Sequence, residues 1–109
     1  MIQAYDRAKL IELFGHDPAM LAEVEREFVE TARDAEREIR GTDDLATLAQ
    51  AAHRLKGASG MIGAVALQQV AEAVERAAKA HDLASVHRLH GPLADEVQRV
   101  AAQTGVVVD

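Results

Sequence analysis

The sequence predicts an all-α protein, an antiparallel up-down-up-down four-helix bundle with a short N-terminal lead-in helix. About half of the residues are apolar, and they are mainly Ala, Leu, Val and Ile, with few aromatic residues. This composition favours helix over strand. Apolar positions recur at intervals of three and four residues, the period of an amphipathic helix. A chain of 109 residues has the size of one domain with one hydrophobic core, so we expect a single domain over residues 1–109.

Turn and capping residues delimit the lead-in helix and the first bundle helix. We expect the lead-in helix at about residues 5–14, where Gly15 closes it. Asp17 can cap the next helix, and Pro18 suits its first position. The first bundle helix is therefore predicted at about residues 18–40.

The second bundle helix is predicted at about residues 43–62. Thr42, Asp43 and Asp44 each offer an N-cap. A stripe of apolar and small residues follows at helical spacing: Leu45, Leu48, Ala52, Leu55, Ser59 and Ile62. His53 lies on this helix and is predicted to point away from the stripe, toward solvent.

Two further helices, at about residues 65–81 and 82–102, complete the predicted bundle. Asp82 can cap the last of them. Gly91 and Pro92 lie inside it and should kink the helix or divide it in two, because proline removes a helical hydrogen bond. Since the connections are short, neighbouring helices should run antiparallel. The final segment, TGVVVD, is given no role.

Charge and composition argue against several classes of function. A formal net charge of −6 without a Lys/Arg stripe argues against nucleic-acid binding and favours a protein partner. The absence of cysteine excludes disulfides and thiolate metal sites. The sequence shows neither a signal-peptide pattern nor an apolar run long enough to cross a bilayer, so we expect a cytoplasmic location without direct membrane contact.

The most informative stretch is AHRLKGASGMIGA, Ala52 to Ala64. In a helix, His53 shares its face with small residues and one cation: Ala46, Ala49, Lys56, Gly57 and Gly60. A glycine inside a helix costs about 1 kcal/mol relative to alanine, so these glycines indicate a need for close approach. The imidazole is predicted to stand on an open surface that a partner can reach.

This arrangement suits phosphoryl transfer. A histidine side chain is substantially unprotonated near neutral pH, and its free ring nitrogen can attack an activated phosphorus. Lys56 lies one turn from His53 and can stabilise the negative charge of the transferring group. Arg54 lies about a hundred degrees round the helix from His53 and is a poorer candidate.

The stretch from His53 to Ala64, HRLKGASGMIGA, resembles the signature of histidine phosphotransfer (HPt) domains of multistep two-component phosphorelays. The family pattern is His-x-Leu-Lys-Gly-x-Ser/Ala, with Gly-Ala or Gly-Leu a few residues later. The resemblance extends to most of the chain, because the family has a short first helix and a four-helix bundle with the phosphorylated histidine midway along one helix.

The resemblance implies that His53 accepts a phosphoryl group on Nε2 and exchanges it with an aspartate of a receiver domain. The receiver also supplies Mg²⁺, so the chain needs no cofactor or metal of its own. Lys56 would contact the phosphoryl group, and Gly57 would leave room for the receiver. Glu72 matches the acidic residue common on the following helix. Glu75 lies nearer the histidine, where it could orient the ring but would also repel a phosphoryl group.

The receiver is expected to dock around His53, on small and exposed apolar residues: Ala49, Gly57, Gly60, Met61 and Ile62. By the same resemblance, we expect a monomeric phosphocarrier without ATP-dependent kinase activity. Its partners would be response-regulator receiver domains and a hybrid sensor histidine kinase. The chain would be either a free-standing protein or the C-terminal domain of such a kinase.

Other functions are also consistent with parts of the sequence. The main alternative is a helical adaptor that binds a receiver without accepting phosphate. A second is the dimeric phosphoacceptor helix pair of a histidine kinase, although the acidic residue that usually follows its histidine is replaced here by Arg54. His87 and His90 are three residues apart, a spacing that suits zinc ligands, but no third ligand completes a site.

Overall fold

The structure, a computed structural model, describes residues 3–105. Regular secondary structure in this range is entirely helical, which confirms the predicted all-α class. The helices are α1 (Arg7–Phe14), α2 (Pro18–Arg40), α3 (Leu45–Met61), α4 (Val65–Lys79), α5 (Leu83–Arg88) and α6 (His90–Thr104). Helix α2 packs against α1, α3 and α6, while α4 packs against α3, α5 and α6. Within the described residues, no helix is both long and apolar enough to cross a membrane.

Aspartate side chains set the starts of four helices. Asp17 accepts a hydrogen bond from the Ala19 amide, and α2 spans the range that the sequence predicts. Asp44 caps α3, which therefore begins two residues later than expected, at Leu45. Asp82 caps α5 through the Ser85 amide. Each of these carboxylates occupies one of the backbone donors that a helix start leaves without a partner.

Asp6 caps α1, so this helix begins at Arg7 rather than at residue 5. Tyr5 precedes the helix and is buried, with 2% of its surface exposed. Its hydroxyl donates to Glu25 of α2. Burial and the neighbouring Glu25 carboxylate raise the pKa of the Tyr5 phenol. The Gln103 amide group binds the backbone of Ala4 and Tyr5, attaching this segment to the end of α6.

The last predicted helix is divided into α5 and α6, as Gly91 and Pro92 indicate. Pro92 is the third residue of α6, where a missing backbone N–H breaks no helical hydrogen bond. The preceding helix α4 ends at Lys79 rather than at residue 81, and His81 has a φ of 58° that no α-helix accommodates. Helix α6 extends to Thr104, beyond the expected residue 102. The tail residues 106–109 lie outside the described range.

The buried apolar residues of all six helices form one core. Leu48 and Leu55 of α3 and Leu67 and Val74 of α4 belong to this core, and none of the four has exposed surface. Met20 is an apolar residue near the start of α2, but it is 48% exposed. The adjacent Leu21 is buried instead. When two apolar residues are adjacent, the sequence pattern does not show which of them faces the core.

The turn between α3 and α4 contacts the lead-in segment. The Asp6 amide donates to the Ile62 carbonyl over 3.0 Å. Gly63 has a φ of 71°, and a Cβ at this position would lie 2.8 Å from the Asp6 Cβ. Glycine is required here for two reasons, a left-handed backbone and a close crossing of two chain segments.

We predict that Gly63→Ala destabilises the protein by about 1–3 kcal/mol more than Gly105→Ala, the cost typical of overpacking. Gly105 has a similar φ of 74°, but a Cβ there meets no atom within 4 Å. Urea unfolding of both variants measures the difference. Equal losses of unfolding free energy would show that the Asp6 crossing yields without cost.

Candidate functional site

The site is centred on His53, near the middle of α3. Its side chain is 67% exposed. Leu48, Ala52 and Leu55 of the same helix are buried. The side of α3 that carries these three residues therefore faces the core, and the side that carries His53 faces away from it. The packing of α3 therefore leaves the imidazole accessible to a partner.

Glu75 of α4 contacts this imidazole. Its Oε2 atom lies 2.9 Å from His53 Nδ1, and the residue is only 5% exposed. An ionised carboxylate can only accept hydrogen bonds, so the proton of a neutral His53 belongs on Nδ1. The lone pair then lies on Nε2, and the carboxylate both orients the ring and selects this tautomer.

Two lysines share the same carboxylate. Lys56 Nζ, one turn beyond His53 on α3, lies 2.9 Å from Glu75 Oε1. Lys79 Nζ, one turn beyond Glu75 on α4, lies 3.1 Å from Oε2. The sequence indicates Lys56 and Glu75 as site residues but does not indicate Lys79. The four-residue spacing of Glu75 and Lys79, typical of helical ion pairs, was the available signal.

These donors keep Glu75 ionised. The hydrogen bond from Lys56 is the largest influence and lowers the pKa of Glu75, while burial acts in the opposite direction. Lys79 and His53 lower it further, and the resulting pKa is about 2. Glu75 therefore carries its charge at all physiological pH values.

The small residues near His53 differ in their surroundings. Gly57 is exposed, and a Cβ built on it would meet no atom within 4 Å. Gly60 is partly buried, and a Cβ there would lie 2.7 Å from the Gln68 Nε2 atom of α4. Ala49 is partly buried, whereas Met61 is 55% exposed. Gly57 thus leaves open space for a partner, while the small size of Gly60 also accommodates Gln68.

Three neighbouring residues lie away from this constellation. Ile62 is only 4% exposed, so its inclusion in a docking surface is wrong; it belongs to the core at the α3–α4 turn. Glu72 forms an ion pair with Arg76 over 3.0 Å, and the acidic residue that reaches His53 is Glu75. Arg54 pairs with Glu38 of α2 over 3.2 Å.

The other histidines form no comparable site. His87 Nε2 lies 2.9 Å from Asp43 Oδ1, and the rings of His87 and His90 are 5.4 Å apart. His16 and His81 are exposed. Across residues 3–105, no group of three His, Cys, Asp or Glu side chains is arranged to hold a metal ion.

We predict that Glu75 contributes to stability in a pH-dependent way. Because its folded pKa of about 2 is below the ordinary value of 4.5, its contribution is complete above the ordinary value and is lost as the pH falls toward 2. Glu75→Gln should therefore lower the unfolding free energy near neutral pH, and its difference from the native chain should shrink in acid. Urea unfolding at a series of pH values measures this difference. Glu72→Gln removes an exposed carboxylate from the same helix and is the control; a Glu75→Gln difference that stays constant with pH would contradict the prediction.

Comparison with known proteins identifies the family. The model of the Hpt domain matches residues 19–103, most of the chain and all of the site described above. The comparisons with curated proteins and with solved structures found no match. With an all-helical fold and a match of this extent, the chain belongs to the Hpt domain family, whose members perform histidine phosphotransfer in two-component signalling.

Proposed function

We propose that this chain relays a phosphoryl group between His53 and the aspartates of response-regulator receiver domains. One observation carries the proposal: an exposed imidazole has its Nδ1 atom held by a buried carboxylate, 2.9 Å away. The Nε2 atom is therefore free to act as the nucleophile. Membership of the Hpt family supplies the class of reaction.

The reaction begins when Nε2 of neutral His53 attacks the phosphorus of a receiver aspartyl phosphate. The Nε2–P bond forms, and the P–O bond to the aspartate breaks, so the carboxylate leaves with the electron pair. The proton on Nδ1 stays in place, and the ring becomes an imidazolium. Glu75 stabilises that positive charge, because its carboxylate is already hydrogen-bonded to Nδ1. Transfer to the next receiver is the reverse of this step.

Lys56 is the nearest donor for the transferred group. It lies on the same helix as His53 and is about a third exposed, so its ammonium can reach the phosphoryl oxygens from the Glu75 carboxylate. Gly57 leaves the approach open. The proposed docking surface consists of these residues and their neighbours: Ala49, Gly57, Gly60 and Met61.

The receiver supplies the Mg²⁺ ion, and no residue of this chain is given a metal-binding role. The chain acts as a cytoplasmic monomer and a phosphocarrier without ATP-dependent kinase activity, either free-standing or within a hybrid sensor histidine kinase. Its helices form an up-down-up-down bundle, an arrangement that the packing of α2 and α4 against their neighbours supports.

His53→Gln should abolish phosphorylation by a phosphorylated receiver domain. The native chain should acquire a label that is stable in base and labile in acid, as expected for a phosphohistidine. His87→Gln is the control, because it removes an exposed histidine that pairs with Asp43 on another part of the bundle. Label on the His53→Gln variant would refute the assignment. An unlabelled native chain that still binds receivers would favour the adaptor function instead.

Substitution of Gly57 separates helix stability from docking. Gly57→Ala should stabilise the protein by about 1 kcal/mol because glycine is a poor helix former. Gly57→Leu should slow phosphoryl transfer on the order of tenfold or more by displacing the receiver from His53. Gly91→Leu is the matched control, since Gly91 is also helical, exposed and without atoms within 4 Å of a Cβ. Equal transfer rates for Gly57→Leu and Gly91→Leu would place the docking surface elsewhere.

A further inference from the structure

Lys79 contacts the site without contacting the proposed nucleophile directly. Its Nζ atom lies 3.1 Å from Glu75 Oε2, the same oxygen that contacts His53 Nδ1. The Lys79 side chain is 66% exposed, whereas Glu75 is nearly buried. Lys79 therefore places a positive charge on the solvent side of the Glu75 carboxylate, which also contacts His53 and Lys56 of α3.

The carboxylate creates an electrostatic conflict during transfer. It favours an imidazolium at His53, but it also repels the phosphoryl group that arrives on the same ring. In the unphosphorylated protein, Lys56 and Lys79 both balance Glu75. If Lys56 turns to the phosphoryl oxygens, only Lys79 remains as a cationic partner of Glu75.

We propose that Lys79 is a positioning residue that holds Glu75 ionised and oriented while Lys56 exchanges its contact with Glu75 for one with the phosphoryl group. This inference rests on the proposed function of His53. No covalent bond of Lys79 forms or breaks, and its proton stays on Nζ. Its effect on the reaction is transmitted entirely through Glu75.

The charges around the site support this division of roles. Before transfer, two lysines and one glutamate surround a neutral imidazole, which leaves one net positive charge. After transfer, the imidazolium and a doubly charged phosphoryl group bring the same set to neutrality. Without Lys79, the phosphorylated site would carry a net negative charge. The nearby Glu72 and Arg76 pair with each other and cancel.

The local structure also gives Lys56 room to move. An open cleft lies between α3 and α4, and it is lined by Lys56, Glu72, Glu75, Arg76 and Lys79. Lys56 is the less exposed of the two lysines, at 32% against 66% for Lys79. Lys79 holds Glu75 from its own helix, so the contact persists while the Lys56 side chain rotates toward His53.

The test measures the equilibrium fraction of phosphorylated chain with a phosphorylated receiver domain as donor. Lys79→Gln should reduce the ratio of phosphorylated to unphosphorylated chain by about two- to fivefold, the range expected for one exposed ion pair. Lys79→Arg should restore it. The double change Glu72→Gln with Arg76→Gln, which removes a neutral ion pair from the same helix, should leave the ratio unchanged.

A second background shows whether Lys79 acts through Glu75. In a Glu75→Gln chain, the further change Lys79→Gln should alter the ratio by less than twofold, because the carboxylate it balances is gone. The unfolding free energy of each variant is measured alongside, since a purely structural role would change stability without this dependence on Glu75. Equal ratios for the native chain and Lys79→Gln, or the same loss in both backgrounds, would overturn the inference alone. A native chain that takes no label from any receiver would overturn the proposed function as well.

Discussion

The ionised carboxylate of Glu75 is the interaction on which the site depends. It is almost buried, yet it accepts hydrogen bonds from His53 and from lysines on both α3 and α4. A buried charge without partners would be strongly destabilising, so these donors are a condition of its presence. These donors come from two helices. The packing of α3 on α4 therefore determines the tautomer and the orientation of the exposed His53 imidazole.

Much of the fold could be predicted from local signals. The bounds of α2 follow from Asp17, Pro18 and the glycine after Arg40, all of which act within one helical turn. The division between α5 and α6, at Leu89, follows from similar local chemistry, because Pro92 suits the first turn of a helix and not its interior. The sequence pattern predicts the start of α1 too early, because Tyr5 is apolar and fits the helical period. Its burial serves the core from outside the helix, which periodicity alone does not distinguish.

Part of the candidate site can likewise be predicted from the sequence, and part of it cannot. His53 and Lys56 lie three residues apart on one helix, so their proximity follows from the sequence. The contact between His53 and Glu75 depends on the register of α3 against α4, which no local sequence signal determines; the Gln68 side chain, for example, lies where a Cβ on Gly60 would be. The sequence does not indicate Lys79, because this residue reaches the site only through Glu75. The sequence pattern allows Ile62 both in the buried stripe and on the docking surface, and its burial at the end of α3 agrees with the stripe.

The attachment of the N-terminal segment affects how this domain can be excised. The family match begins at residue 19, but the buried side chains of Tyr5 and Leu10 precede that point. The Asp6 amide also occupies the Ile62 carbonyl beside the helix that carries His53. A fragment trimmed to the family boundaries would lose these side chains and would expose apolar core surface to water at this end of the bundle. The smallest self-sufficient unit of this chain therefore includes the residues ahead of the recognised domain.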